Sequence, residues 1–296
     1  MEKLLCTPHL INSGIVDFVW NSALQDGTPG WREPSMENFS IHSHAKDAGP
    51  VMCLPQYAVL MAYIRDFKDA INYLNNCYSG GKYILILREG DENFPDNFAL
   101  PRFIKYVFSI NVLNKIDNIF PMPMAFHMHD SYQQHIEKTL LEEKIIKNKV
   151  FACFSLDAGG RTRKEGHDRV QCIKNLKDKS FVTMPEKLRN IEQANCPLDP
   201  PEYFKEVYNH IYSATPIGYG VERIAYWEAM ALKTIPICKK YPQLMHFTDM
   251  PIAFIDDWSE VTESWCDQNV NLINKPVDKI FMPYWIDKIK EMRNQL

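Results

Sequence analysis

Residues 213–260 read SATPIGYGVERIAYWEAMALKTIPICKKYPQLMHFTDMPIAFIDDWSE, and this stretch says most about the architecture. Gly218 and Gly220 open a segment of helical spacing, which is followed by a short apolar run at 234–238 and a second run that ends at Asp256. Turn, helix and buried strand in this order are typical of a parallel sheet covered by helices. A helix N-terminus carries unpaired N–H groups and the positive end of the helix dipole. The turn therefore suits a phosphate group.

The same alternation extends along the rest of the chain. Strands are predicted at 83–87, 119–124, 149–155, 180–184, 235–238 and 252–255, and helical spacing occurs at 57–73, 135–149, 222–232 and 284–292. We therefore predict an α/β fold with two Rossmann-like domains and a ligand-binding cleft between them. The predicted domains are residues 1–147 and 148–280. Residues 281–296 are predicted to form a C-terminal helix that packs back on the first domain.

Composition argues against several classes of function. The chain has 296 residues, a net charge of −4 and 46% hydrophobic residues, which gives no broad attraction to nucleic acid. No stretch approaches the roughly 20 apolar residues of a membrane span, and the first residues lack a secretory signal. We therefore expect a soluble, cytoplasmic protein without membrane insertion. Eight cysteines without C-x-x-C spacing predict reduced thiols rather than disulfides or a zinc site.

Two features of the opening segment each allow two interpretations. Gly218 and Gly220 let a backbone approach a pyrophosphate closely, but such a glycine pair also occurs in ordinary turns. Glu228 stands among apolar residues beside Trp227, and a carboxylate in such surroundings needs polar partners. Its partners are either the two hydroxyls of a ribose or a neighbouring arginine in a structural ion pair.

The segment resembles the C-terminal core of the exostosin-like (GT47-type) glycosyltransferases. Their pattern is close to S-P-R-G-x-G-x-D-x-H-R-x-W-E-A-L-x-x-G-x-I-P-I, followed by a strand end of the type L-P-I-x-x-x-D-D-W-S-E-V-T. The matching residues are Pro216, Gly218, Gly220, Trp227, Glu228, Ala229, Ile235, Pro236, Ile237, Pro251, Ile252, Asp256, Asp257, Trp258, Ser259, Glu260, Val261 and Thr262. The resemblance is strong over residues 150–270 and looser at 83–95 and 119–125.

The chain departs from this pattern where the family carries its basic residues. The arginine before the first glycine is replaced by Ile217, and the aspartate by Glu222. The family's His-Arg pair falls on Ile224 and Ala225. The resemblance implies basic residues that bind the diphosphate, and in this chain they must lie at other positions or be absent.

Three arginines are candidates for binding the diphosphate, because a guanidinium donates two parallel hydrogen bonds to such a group. Arg223 lies in the same segment, and Arg161 and Arg163 follow the strand predicted at 149–155. Their alternative role is that of solvated loop residues.

The resemblance implies a GT-B architecture and an inverting transfer from a UDP-sugar to a glycan acceptor, with no obligatory cofactor or metal. It implies a donor site in the second domain, where Glu228 holds the ribose. The diphosphate would meet the backbone of Gly218, Tyr219, Gly220 and Val221, and the base the strand end at Thr183 and Met184. Short soluble family members occur in bacteria and large algal DNA viruses. A viral xylosyltransferase implies UDP-xylose as donor and the host cytoplasm as location.

An inverting transfer needs a general base on the acceptor hydroxyl. Asp91, just after the strand at 83–87, is our first candidate, with Glu89, Glu92 and Asp17 as rivals; further candidates in early loops are His42, His44 and Asp47. Arg88 and His127 follow strand ends and are expected to border the acceptor or the cleft. Asp256 and Asp257 resemble a metal-binding pair, but we interpret them as capping residues.

Overall fold

The computed structural model describes residues 2–21, 30–32, 54–77, 80–88, 90–95, 99–124, 126, 130–156, 164, 166–191, 196 and 198–296. The strands are β1 (Phe18–Asn21), β2 (Gly30–Arg32), β3 (Tyr57–Tyr63), β4 (Lys82–Arg88), β5 (Ile104–Ser109), β6 (Ile119–Pro121), β7 (Asn148–Phe151), β8 (Val182–Thr183), β9 (His210–Ala214), β10 (Ile235–Lys239) and β11 (Ala253–Ile255). The α-helices are α1 (Thr7–Asn12), α2 (Phe67–Cys77), α3 (Asp130–Leu140), α4 (Asp168–Leu176), α5 (Glu186–Arg189), α6 (Pro200–Tyr208), α7 (Ile224–Ala231), α8 (Glu263–Asn269) and α9 (Met282–Arg293). Short 3-10 helices lie at Ile64–Asp66, Leu244–Phe247, Trp258–Glu260, Val270–Asn274 and Asp278–Ile280.

The chain divides into two compact units. The first contains residues 2–124 together with 281–296, and the second contains residues 125–280. The division falls at residue 125 rather than at the predicted 147, because α3 packs on α6 of the second unit, where the rings of Tyr132 and Phe204 meet at 5.6 Å. The α/β class with two Rossmann-like domains is confirmed, since each unit holds a mainly parallel sheet with helices.

The first unit is built on a six-stranded sheet in the order β2-β1-β3-β4-β5-β6. Neighbouring strands run parallel except β1 and β2, which are antiparallel. The run 83–87 is buried on both faces within β4, as its continuous apolar sequence predicted. The helix predicted over 57–73 was wrong in its first half. Residues 57–63 form β3, which is buried from Ala58 to Ala62. A central strand carries apolar residues on both faces, and such a run also contains the positions that a helical pattern requires.

Helix α9 belongs to the first unit. The N–H of Met282 donates to the carbonyl oxygen of Lys3 at 2.9 Å, and Arg293 Nη2 lies 3.2 Å from a carboxylate oxygen of Asp17. The ring of Trp285 packs edge-on against Phe108 of β5 at 6.2 Å. Residues at the far end of the chain therefore complete the core of the first unit.

The second unit has the strand order β11-β10-β9-β7-β8, with every neighbouring pair parallel. Counted from β7 as the first strand, this is the order 2-1-3-4-5 of a doubly wound sheet. The order reverses between β7 and β9. The loops that leave the carboxyl ends of these two strands diverge there, and ligands of such sheets bind in the resulting crevice.

Helix starts in the second unit follow local sequence signals. Asp199 caps α6 by accepting from the N–H of Glu202 at 2.9 Å, and Pro200 occupies the first turn. Thr262 caps α8 in the same way, accepting from Trp265 at 3.1 Å. The helix predicted over 135–149 instead spans 130–140, and it lies within the second unit.

The cysteines differ from the sequence-based expectation in one pair. Cys153 and Cys196 form a disulfide with Cα atoms 5.6 Å apart, which is a normal bridging distance. Other cysteines, Cys6, Cys172, Cys238 and Cys266, are free and buried as expected. The loop after β7 is thus covalently tied to residue 196, and spacing alone had not indicated this pair.

Within the described ranges, the helices fall short of the length and apolar character that a membrane crossing requires.

Candidate functional site

The candidate site lies at the switch point of the second sheet. The loop after β9 carries the glycine pair, and the loop after β7 leads to α4. In the glycine loop, the N–H of Gly218 donates to the carbonyl oxygen of Gly220 at 3.2 Å, and Arg223 Nη1 donates to the carbonyl oxygen of Pro216 at 2.6 Å. These bonds fold residues 216–223 into a compact turn. Tyr219 at its tip is half exposed.

Helix α7 begins later than the sequence predicted. Its first residue is Ile224, and Arg223 occupies the N-cap position without a side-chain capping bond. Glu228 is therefore little more than one turn into the helix, whereas a start at residue 222 would have placed it nearly two turns in. The shift moves the carboxyl group closer to the N-terminal end of the helix and to Arg223.

Two consecutive residues of α4 hold the peptide groups of Ile217. Asp168 accepts from the N–H of Ile217 at 2.9 Å, and Arg169 Nε donates to the carbonyl oxygen of Ile217 at 3.0 Å. Arg169 Nη1 also donates to the carbonyl oxygen of Ser155, which follows β7. The loops on the two sides of the switch point are thus joined by one arginine.

Gly218 is needed for this contact because of space, not because of its backbone angles. A Cβ atom at this position would lie 2.6 Å from Arg169 Nη2, well inside normal contact distance. The sequence had predicted that the glycine leaves room for a phosphate. In the structure, the space beside Gly218 is occupied by the guanidinium of Arg169.

The guanidinium groups of Arg169 and Arg223 repel each other at this turn. Burial, followed by the positive charge of Arg223, lowers the pKa of Arg169 to about 9. The imidazole of His167, which accepts from the N–H of Arg169 at 3.2 Å, also has a lowered pKa because of burial and the charge of Arg169. Positive charge is therefore concentrated around Gly218, with the buried acidic residues Asp168 and Glu222 at the same turn.

Glu228 is a buried carboxyl group whose charge acts on two tyrosines. Its side chain belongs to a residue that is only 7% exposed, and burial raises its pKa to about 7, against a smaller opposing effect of Arg223. The phenols of Tyr203 and Tyr132 are close enough that the charge of Glu228 adds to burial in raising their pKa values. Among the residues that the structure describes, Glu228 forms no hydrogen bond or ion pair with Arg223, although the charge of Arg223 acts on its pKa. Arg223 Nη1 instead donates to the carbonyl oxygen of Pro216. The carboxylate of Glu228 is therefore poised to accept hydrogen bonds from a ligand.

The predicted base-binding residues lie at the end of β8. The hydroxyl of Thr183 is within hydrogen-bond distance, 2.9 Å, of His210 Nε2, and Met184 is buried in the hydrophobic core. The side chains are thus engaged inside the protein. The carbonyl oxygens of both residues also accept hydrogen bonds, that of Thr183 from the N–H of Ala152 at 3.0 Å and that of Met184 from Arg189 Nε at 3.4 Å.

Asp257 has the predicted capping role, whereas the side chain of Asp256 pairs with a lysine. Asp257 caps the 3-10 helix Trp258–Glu260 by accepting from the N–H of Ser259 at 2.9 Å, and Glu260 completes a capping box. Asp256 forms an ion pair with Lys240 at 2.6 Å. Across the part of the chain that the structure describes, no group of three or more acidic, histidine or cysteine side chains has a metal-binding arrangement.

Arg88 in the first unit is buried at the end of β4. Its two terminal nitrogens donate to the carbonyl oxygens of Pro123 and Met124, each at 2.6 Å. The predicted cleft residue therefore joins the ends of β4 and β6.

The candidate bases of the first unit are placed differently from one another. Asp91 and Glu92 lie at the surface in the loop after β4, and partial enclosure together with the charge of Glu92 raises the pKa of Asp91. Asp17 precedes β1 and accepts from the N–H of Val59 at 2.7 Å while it pairs with Arg293. Asp17 thus supports the sheet and α9, whereas Asp91 stays our prediction for the base.

Some candidates lie outside the described residues. These are Glu89, His42, His44, Asp47, His127, Arg161 and Arg163.

Sequence reasoning missed three residues of the site, Asp168, Arg169 and Tyr203. The only local signal was His167-Asp168-Arg169 at the start of a helix that follows a strand. Charged residues in that position are also ordinary capping residues. Their contacts with Ile217 depend on the strand order, which brings positions 168 and 217 together.

Comparisons with known proteins give structural likeness only. No protein-family model matches the chain, and no curated protein matches it. Solved structures that it resembles include a trehalose-6-phosphate protein from E. coli bound with UDP-2-fluoro glucose, at 8% identity and a TM-score of 0.48, over 82% of this chain and 74% of that one. A UDP-forming α,α-trehalose-phosphate synthase from Burkholderia xenovorans has 7% identity and a TM-score of 0.47, with coverage of 80% and 73%. A mutant of TarM from S. aureus, in complex with fondaparinux, α-GlcNAc-glycerol and UDP, has 12% identity and a TM-score of 0.39, with coverage of 79% and 51%. Likeness at these values carries no functional argument, so function must be argued from the site.

Proposed function

We propose that the protein is a glycosyltransferase that takes a sugar from a nucleoside-diphosphate sugar, with the donor bound at the switch point of the second unit. The observation that carries the proposal is the pairing, on one turn and one helix, of concentrated positive charge around Gly218 with the buried carboxyl group of Glu228. A diphosphate needs the first and a ribose the second. Few other ligands need both.

The diphosphate would lie against the turn 218–221 and the N-terminus of α7. Helix α7 has no side-chain cap, and the N–H of its third residue, Tyr226, donates to the carbonyl oxygen of Arg223 at 3.2 Å. The anionic oxygen would therefore meet the N–H groups of Ile224 and Ala225. Arg223 and Arg169 supply positive charge, and an anion between them relieves their mutual repulsion. They take the place of the family's His-Arg pair, whose positions hold Ile224 and Ala225. Arg161 and Arg163 are further donor-binding candidates.

Glu228 would accept hydrogen bonds from the two ribose hydroxyls. A carboxylate with a raised pKa gains most from such donors, because they stabilise its charged form. We assign the uracil of UDP to the strand end at Thr183 and Met184, which follows β8 next to the switch point.

For the reaction, we infer an inverting transfer. A base, our candidate being Asp91, removes the proton from an acceptor hydroxyl on a glycan. The hydroxyl oxygen then bonds to C1 of the sugar while the bond from C1 to the diphosphate oxygen breaks. Fixed positive charge and the α7 dipole stabilise the departing diphosphate without an obligatory metal. We further propose that the enzyme is exostosin-like and that the sugar it transfers is xylose.

The decisive experiment is a UDP-release assay with a panel of UDP-sugars, each with and without glycan acceptors, alongside calorimetric titration with UDP. We expect UDP to bind and at least one donor to be turned over. Glu228→Ala should weaken UDP binding by roughly 1–3 kcal/mol, the cost of lost hydrogen bonds to a charged group. Unchanged affinity in the folded variant would refute the ribose role.

A non-catalytic nucleotide- or glycan-binding relative is the second candidate. The observation in its favour is the loss of both basic residues at 224 and 225. UDP binding without turnover or hydrolysis of any donor would establish this second function and rule out the first.

A further inference from the structure

The buried carboxylate of Asp168 joins the loops that leave four strands of the second sheet. Asp168 opens α4, after β7, and is only 5% exposed. Its Oδ2 accepts from the N–H of Ile217 in the loop after β9 at 2.9 Å. Its Oδ1 accepts from Trp258 Nε1, after β11, at 2.7 Å and lies 3.5 Å from Lys239 Nζ at the end of β10.

These contacts satisfy the hydrogen-bonding needs of a buried carboxylate. A buried carboxylate is stable only when its oxygens are paired, and both oxygens of Asp168 have partners. The partners are an indole N–H, a backbone N–H and an ammonium group, so removing the carboxylate strands several donors at once. Only one of them, the N–H of Ile217, belongs to the turn that carries Gly218 and Gly220.

We propose that Asp168 is the positioning residue of the donor turn. It fixes the Ile217 peptide by its N–H while Arg169 holds the same residue by its carbonyl oxygen, so the turn keeps one conformation before any ligand binds. The inference rests on the proposed donor site for its functional consequence. The preorganisation itself is a property of the ligand-free protein.

Preorganisation matters here because the turn presents backbone groups rather than long side chains. Residues 218–221 have no charged side chain, and the N–H of Gly218 is used within the turn. Their contribution to anion binding therefore depends on the direction of the N–H groups of residues 219–221. A turn that samples several conformations binds more weakly, in proportion to the fraction of time in the competent one. Asp168 therefore acts on affinity without touching the ligand.

Two variants separate this role from general support of the core. Asp168→Ala removes both hydrogen bonds. Trp258→Phe also breaks a bond to Asp168 and disturbs a fully buried ring, but it leaves the bond to Ile217 intact. It is therefore a control that destabilises the same region without releasing the turn.

The measurements are amide hydrogen exchange of residues 215–221 in the ligand-free protein, global stability in urea, and UDP affinity by calorimetry. We expect Asp168→Ala to speed exchange at the turn and to weaken UDP binding about 10-fold or more. Trp258→Phe should lower global stability yet change turn exchange and UDP affinity by no more than about 3-fold. If Asp168→Ala does not fold, Asp168→Asn takes its place, since one amide oxygen must serve two N–H donors.

Exchange at the turn that is unchanged in the Asp168 variant, or raised equally in Trp258→Phe at equal loss of stability, overturns the proposal. Failure of the proposed function looks different, because then the wild-type protein does not bind UDP. The exchange measurement still decides whether Asp168 positions the turn in that case.

Discussion

Replacing Glu228 with glutamine should stabilise the ligand-free protein at alkaline pH. Burial raises the pKa of this carboxyl group from 4.5 to about 7, so the folded state binds its proton more tightly than the unfolded state. Stability from this group is therefore present below pH 4.5 and is lost as the pH rises through 7. A difference of about 2.5 pKa units corresponds to about 3 kcal/mol at most. Glutamine keeps the shape of the side chain and cannot ionise.

The assay is urea unfolding of wild type and Glu228→Gln at a series of pH values from about 5 to 9, followed by tryptophan fluorescence and circular dichroism. The stability of the variant relative to wild type should rise with pH and level off above about 8. Glu186→Gln, at a side chain that is 93% exposed, controls for the change in net charge. A relative stability that does not vary with pH would show that Glu228 is not a strained buried acid.

The same variant should lose affinity for UDP. Hydroxyl donors stabilise the carboxylate, so wild-type affinity should increase as the pH rises through about 7 and glutamine should abolish this increase. Gain of stability together with loss of binding would mark Glu228 as a residue retained for its ligand. A variant that shows neither effect contradicts both parts of the argument.

Three further predictions concern the same unit. Cys153→Ser should lower the free energy of unfolding by about 4 kcal/mol, because the bond to Cys196 closes a loop of 43 residues; melting of the wild type with and without a dithiol checks this. Gly218→Ala should cost about 1–3 kcal/mol of stability and weaken UDP binding, because its Cβ displaces Arg169; a Gly218→Ala variant as stable as wild type would exclude the contact. Asp257→Ala should cost about 0.5–2 kcal/mol through the lost cap, and UDP release should be insensitive to chelators in both proteins if Asp257 binds no metal.

Strands β4, β7, β10 and β11 could be predicted from the sequence, because burial on both faces leaves a continuous apolar run. The interior strands β3, β5 and β9 were not predicted, nor were helices α1, α4, α5, α6 and α8. Strand β4 is the clearest case. The stretch 57–73 shows the limit, since a buried strand that leads into an amphipathic helix imitates one long helix. Which pattern wins depends on pairing with β4, and that pairing is not local.

The site was predictable in part for the same reason. Glu228 and the glycine turn are close together along the chain, so spacing could indicate them. Asp168 and Arg169 act on Ile217 from 49 and 48 residues away, across strands that are neighbours only because the order reverses. The sequence indicated Gly218 as a residue where space is needed, but it indicated a phosphate as the group that needs it. In the structure that group is the guanidinium of Arg169.

The placement of α9 has a consequence for how the protein is made. Residues 281–296 follow the whole second unit in sequence yet complete the core of the first. On a ribosome, the second unit is continuous and can fold as soon as it emerges. The first unit must wait, with its sheet uncovered where Trp285 will pack, until synthesis has passed through the entire second unit. The first unit therefore cannot complete its core before the second unit has been synthesised, and a chain truncated after residue 280 should hold a folded second unit and an incomplete first one.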